Sequence, residues 1–130
     1  YRAEQEGTAV FRYFLRPHRA YDPVAAAQFG VDCSQPLRVT PSTGYASGTP
    51  RLEVSSDHVL ITAFKPSDDG RAWIVRLFGA SGEEEKVRLT WSDTKPEKVW
   101  LSDTSEKAFD LAPRSIRVPG WGILTLRVEF

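Results

Sequence analysis

The chain has 130 residues, 41% hydrophobic and 26% charged, with seventeen basic side chains balanced by seventeen acidic ones. That is the size of one globular domain able to bury roughly two-thirds of its unfolded surface. With a formal charge of zero no net field favours nucleic acid or an anionic lipid surface, and no Lys/Arg cluster stands out as a phosphate track. The aliphatic runs Val24 to Ala27 and Val59 to Ile61 are far shorter than the ~20 residues of a membrane span, and no signal peptide is evident, so the chain reads as soluble. The single Cys33 excludes an intrachain disulfide and leaves the compartment unknown. Methionine is absent and the chain opens on Tyr1-Arg2-Ala3-Glu4, so it is expected to be a piece of a longer polypeptide.

In chain order, Thr8 to Arg16 sets Phe11, Tyr13 and Leu15 against Val10, Arg12 and Phe14, the pattern of a strand that wants cover on both faces. Asp22-Pro23 offers an N-cap with Pro at the first helical position; Val24 to Phe29 is a short Ala-rich helix, and Gly30 is placed at C′. Gln35 to Thr40 reads as a weak strand, and residues 41–50 form a loop by their Gly, Pro and hydroxyl content.

From residue 51 the pattern is all β, with strands expected at Leu52 to Val54, Val59 to Lys65, Ala72 to Phe78, Glu85 to Trp91, Glu97 to Ser102, Ile116 to Val118 and Gly122 to Phe130. The second and third form a hairpin: Val59, Ile61 and Ala63 alternate with Leu60, Thr62 and Phe64, and Ser67-Asp68-Asp69-Gly70 supplies the turn. Val87, Leu89 and Trp91, then Leu124, Leu126, Val128 and Phe130, alternate with polar neighbours, as in a sheet solvated on one side. The run Glu83-Glu84-Glu85 reads as a solvated hairpin tip. The fold class is therefore all-β: an antiparallel β-sandwich with immunoglobulin-like layers and one short helix near the N-terminus. Residues 1–45 carry the first strand, helix and second strand, residues 46–130 the sandwich, and together they make one compact unit.

The runs Phe11-Arg-Tyr-Phe-Leu-Arg-Pro-His18, Asp22-Pro-Val-Ala-Ala-Ala-Gln-Phe29, Gln35-Pro-Leu37, Val59-Leu-Ile-Thr-Ala-Phe-Lys-Pro66, Arg76-Leu-Phe78 and Gly122-Ile-Leu-Thr-Leu-Arg127 follow one another in this order. Together they resemble the C-terminal β-sandwich region of family 38 glycoside hydrolases, the α-mannosidases. One departure is Gly79, where that family often has Asn or Glu. The resemblance implies that zinc and the carboxylate nucleophile belong to an N-terminal α/β domain with no counterpart here. This chain would then hold no catalytic residue and no metal or other cofactor, zinc being the parent's. Its partners would be the upstream domains of the same polypeptide, with mannose-containing glycans a further candidate. The residues agree on their own account, since a retaining glycosidase needs two carboxyl groups about 5 Å apart and the Asp residues here are scattered over turns.

Candidate contacts are few. Arg16, His18 and Tyr21 form a polar and aromatic group at one strand end, facing either a domain interface or solvent. His18 is read as a loop histidine, because His58 and Cys33 lack the spacing of zinc ligands. Trp73 and Trp91 fall in step with core residues, whereas Trp100 is out of step with Val99 and Leu101, and Trp121 sits between Gly120 and Gly122. The last two are candidate interface or sugar contacts. Two other functions stay open, a carbohydrate-binding module on Trp100 and Trp121, and a generic surface or adhesion sandwich, although the Cys-Trp-Cys arrangement of immunoglobulin domains is missing. The inward phase of Leu126 gives a direct check: Leu126→Ala should cost roughly 2 to 5 kcal/mol in chemical denaturation, and a loss below about 1 kcal/mol would reject the inward face.

Overall fold

The computed structural model describes residues 7–35, 37–39, 41, 43–44, 48–92 and 94–130. Asp22 starts the helix α1 (Pro23–Ser34): its carboxylate accepts from the backbone N–H of Val24 at 2.9 Å and of Ala25 at 3.1 Å, and Pro23 brings a φ already set for the first turn. Gly30 does not end the helix as its sequence position predicts. Helical bonding continues through Ser34; Gln28 Nε2 donates to Asp32 Oδ1 one turn on at 2.8 Å, and the Gln35 N–H closes the end on the Val31 carbonyl. No residue of α1 is buried.

The expected strand Thr8 to Arg16 is not formed: residues 8–16 belong to no regular element, and every one is exposed. Alternation says which side chains would share a face, but a strand exists only on a ladder of hydrogen bonds, and none of the described strands pairs with this segment. The expected strand at 35–40 is also missing among its described members. Gln35 caps α1, and Leu37, Arg38 and Val39 are exposed. Positions 36 and 40, together with 42 and 45–47 of the expected loop, lie outside the described residues.

Nine strands follow among the described residues: β1 (Leu52–Val54), β2 (Val59–Pro66), β3 (Trp73–Gly79), β4 (Glu85–Val87), β5 (Leu89–Trp91), β6 (Lys98–Ser102), β7 (Ala108–Leu111), β8 (Ile116–Val118) and β9 (Ile123–Glu129). One layer is an antiparallel sheet in the order β2-β3-β9-β6-β7, and the ladders β1-β5 and β4-β8 face it. Val59, Val75, Leu77, Leu126 and Val128 of the large sheet share one buried cluster with Leu52, Val87, Ile116 and Val118 of the facing strands. This confirms the antiparallel sandwich with one short helix.

The β2–β3 hairpin forms with its predicted turn, Gly70 taking φ +68° and donating to the Ser67 carbonyl at 2.9 Å. Inside β2, however, the register slips: Ile61 pairs with Leu77 but Ala63 pairs with Arg76, leaving Thr62 as the extra residue of a β-bulge. The slip exchanges the two faces beyond it. Phe64, not Ala63, therefore joins Val59 and Ile61 against the core.

The expected single strand Glu85 to Trp91 is two strands, broken at Arg88. The Arg88 N–H donates to Ser55 Oγ at 2.9 Å and its carbonyl accepts from the Ser55 N–H at 3.1 Å, so one stretch serves two partners, β8 before the break and β1 after it. Glu83 to Glu85 is not a hairpin tip, since β3 and β4 lie in different layers; Glu84 pairs with Arg117 at 2.9 Å. The sequence reading also missed β7. Its entry is built by Asp103, whose Oδ1 accepts from the backbone N–H of Ser105 at 2.9 Å and of Lys107 at 3.1 Å, the side-chain-to-backbone turn that Asp favours.

At the end of the sandwich away from the Ser67–Gly70 turn, two backbone segments cross in near contact. Gly79 bridges to Gly120; its N–H donates to the Gly122 carbonyl at 3.1 Å, and its carbonyl accepts from the Trp121 N–H at 2.8 Å. A Cβ at Gly79 would lie 2.3 Å from the Pro119 carbonyl oxygen, and one at Gly120 would lie 2.0 Å from the Gly82 oxygen. The opposing atoms are backbone and cannot rotate away. Gly79→Ala should therefore cost roughly 1 to 3 kcal/mol in urea unfolding. Gly30→Ala, with nothing within 4 Å of the new Cβ, should leave stability unchanged or raise it and increase helicity by circular dichroism.

Candidate functional site

Four large aromatic side chains gather at the end of the sandwich that carries the Ser67–Gly70 turn. Phe64, turned inward by the bulge, stands 4.9 Å from the Trp73 ring at 36° and 6.2 Å from the Trp91 ring at 56°; Phe130 meets Trp91 edge-on at 5.4 Å. With Arg51 and Thr94 these four rings line a cleft of about 230 Å³. Trp73 and Trp91, read from sequence as core residues, do pack on the core, yet each is only half-buried. The available signal was position: Trp73 opens β3 and Trp91 closes β5, so both rings stand at the rim of the layers.

Beside that cleft the turn is held by charge. Asp69 accepts from the Ser67 hydroxyl at 2.6 Å, the Arg71 N–H at 3.1 Å and Arg127 Nη2 at 2.7 Å, and the Arg127 side chain is only 13% exposed. The Ser67 hydroxyl first, then Arg127, hold the Asp69 carboxyl well below the usual carboxylate range. Glu106, a buried residue at φ 66°, accepts from Lys65 Nζ and from the Asp68 N–H at 2.8 Å. Lys65 chiefly, and the Asp68 N–H next, lower the Glu106 carboxyl; Glu106 and then Asp68 raise the Lys65 ammonium. Asp103 is lowered by the Ser105 hydroxyl and the Lys107 N–H.

These carboxylates are poor general acids. Lys65 bonds both Asp68 and Glu106, so a cation stands between these two carboxylates, and Glu106 is shifted in the direction opposite to the one acid catalysis requires. Among the described residues no three His, Cys, Asp or Glu side chains are arranged to hold a metal ion. His58 Nδ1 donates to Glu85 Oε1 at 2.7 Å, and Cys33 lies on α1.

The predicted contact residues fall into separate places. Arg16, His18 and Tyr21 do come together, along a groove of about 370 Å³ against α1: the His18 and Tyr21 rings are 6.3 Å apart, Arg16 lies 5.9 Å over the Phe29 ring, and His18 Nδ1 donates to the Ala20 carbonyl at 3.3 Å. The group forms without the strand end expected of it. Trp100 lies on the sheet face opposite the core, between Arg127 and Leu111, with Lys98 Nζ 5.8 Å from its ring and its buried Nε1 without a hydrogen-bond partner. Trp121 is 57% exposed at φ 53°, its indole seated over Gly82 and 6.5 Å from the Phe78 ring. Trp100 pairs with Arg127 at one end of β9 and Trp121 precedes the other end, so they stand more than about 13 Å apart along the strand and make no common platform.

The bulged hairpin, the strands from β3 to β8 and the first half of β9 lie within a segment that compares directly with a known family. The family model described as the glycosyl hydrolases family 38 C-terminal beta sandwich domain matches residues 58–126. The chain belongs to this family. Comparison with curated proteins and with solved structures gave no match. The matched span of this family 38 sandwich opens at His58 beside β2 and closes at Leu126 in β9, so it includes the bulge, the charged turn and the glycine crossing. No helix among the described residues is long and apolar enough to cross a membrane.

The lowered carboxyl of Asp69 sets the sign of a pH effect. A carboxyl lowered by folding contributes stability above its unfolded value near pH 4, and that contribution is lost as pH falls through the folded value. The wild-type urea midpoint should decline as pH falls from about 5 to 2, and Asp69→Asn, which keeps the shape and removes the charge, should decline less steeply. Equal slopes for the two proteins would reject the assignment.

Proposed function

We propose that this chain is a non-catalytic accessory domain of an α-mannosidase-like family 38 glycoside hydrolase, packing on and stabilising the rest of the same polypeptide. One observation carries the reading. Val10, Phe11, Tyr13, Phe14 and Leu15 are between 56% and 91% exposed, an apolar-rich arm broken only by Arg12 beside a well-formed sandwich. Exposed apolar surface of this extent marks an interface, and covering each such side chain is worth about 1.5 to 3 kcal/mol. The Arg16, His18 and Tyr21 group continues that arm and belongs to the same contact.

Zinc and the carboxylate nucleophile are assigned to another part of the parent enzyme. Among the described residues no His, Cys, Asp and Glu side chains are grouped to fit a zinc site. Mannose-containing glycans are the parent's substrates in this reading. A sugar-binding role resting on Trp100 and Trp121 together is disfavoured by their separation.

Two measurements test the reading. The chain alone, supplied with zinc, should hydrolyse an aryl α-mannoside no faster than buffer. In the parent enzyme, the double change Phe11→Glu and Leu15→Glu should lower yield and thermal midpoint while leaving kcat per folded active site unchanged. Turnover by the chain alone, or a parent indifferent to the double change, would overturn it.

A further inference from the structure

We infer that the exposed Trp121 ring, with Phe78 and Ile123 beside it, is an anchor by which this domain docks on the rest of the same polypeptide, and that the contact runs from there past α1 to the apolar arm. This rests on the accessory reading above and names a second place where the two parts meet.

Three observations lead there. The first is strain at an exposed aromatic. Trp121 has φ 53°, a region that bulky side chains avoid, although glycine, which adopts it freely, is its neighbour on both sides. Strain of this kind persists where the surroundings fix it, and it concentrates at binding sites. Here the Trp121 N–H donates to the Gly79 carbonyl at 2.8 Å, and the indole lies over Gly82, where a Cβ would stand 2.5 Å from Nε1. The ring is thus held in one direction, yet 57% of the residue remains exposed. Tryptophan is a frequent interface anchor, and one already fixed in place loses little freedom when a partner covers it.

The second is the surface around it. On the sheet face opposite the core, Leu60 pairs with Phe78 and Phe78 with Ile123; Ile123 is 59% exposed, and the Phe78 ring lies 6.5 Å from that of Trp121. These side chains form an apolar patch, not a single exposed ring. The third is continuity. Leu60 also lines an open groove of about 560 Å³ with α1 on one side and β2 on the other. That groove shares Asp22 and Ala25 with the one formed by Arg16, His18 and Tyr21 at the root of the arm. The surface from Trp121 to the arm is therefore unbroken. No residue of α1 is buried, so helix and groove gain cover only from outside. Charge sets the chemistry of that cover. The groove is lined by the carboxylates of Asp22 and Asp57 and by no basic side chain, so the docking surface is apolar and carries a Lys or Arg opposite Asp57.

Hydroxyl-radical footprinting read by mass spectrometry, with an added tryptophan peptide as dosimeter, compares the full chain alone with the parent enzyme. Oxidation of Trp121 and Ile123 should be at least about 5-fold slower in the parent, because an anchor is desolvated when it docks. Trp121→Asn, a residue that tolerates positive φ, should make limited proteolysis release this domain from the parent at least about 5-fold faster, while the urea midpoint of the chain alone barely moves. Phe11 and Leu15 protected in the parent with Trp121 and Ile123 open would overturn the anchor and leave the accessory reading in place; all four open would sink both. Protection that appears in the chain alone and grows with its concentration would assign the patch to a second copy and overturn the anchor. So would an unchanged rate of release from the variant.

Discussion

One extra residue in β2 organises much of this domain. Thr62 has no partner opposite it in the ladder, and its Oγ1 donates to the Arg76 carbonyl at 3.2 Å. Before it, Val59 and Ile61 face the core; after it, Phe64 does. The bulge lets a single strand present aliphatic side chains to the middle of the sandwich and an aromatic one to its end. The increased local twist that accompanies a bulge fits an end that stays open while the middle is closed.

The opposite end is held by a different constraint. There the backbones of residues 79–82 and 119–122 approach so closely that two glycines leave no space for a side chain. The Asn or Glu that the resemblance leads one to expect at position 79 would have no room here, so the departure read from sequence has a steric reason. The domain thus joins the loops that run between its layers by close backbone contact at one end, and at the other ties strands of the large sheet to one another through Asp69 bound to Arg127 of β9 and Glu106 bound to Lys65 of β2.

Much of the fold was legible because burial leaves a period of two. The hairpin, its Ser67-Asp68-Asp69-Gly70 turn, β1, β8 and the helix start at Asp22-Pro23 could all be read from local residues. What could not be read depends on partners distant in sequence. Thr8 to Arg16 alternates like a strand yet pairs with none of the described strands; Glu85 to Trp91 alternates without interruption yet changes partner at Arg88, for a reason located at Ser55. The bulge at Thr62 was hidden because Ala63 and Phe64 are both acceptable inward residues. Phase separated Trp100 from the core correctly. It could not show that Trp73 and Trp91, though in phase, end at a rim.

The strand order carries a consequence for how such a chain is made. β9 (Ile123–Glu129) is not an edge but the middle of the five-stranded sheet, hydrogen-bonded to β3 on one side and β6 on the other. A ribosome delivers it after the four other strands of that sheet, so the β2–β3 and β6–β7 hairpins emerge earlier and lack the strand that joins them until it arrives. During that interval both hairpins show unpaired edges to the cytosol or lumen, the state in which nascent β proteins most readily associate with the wrong chain. Holding those edges apart until the last strand slides between them is a task for whatever stands nearest the tunnel exit.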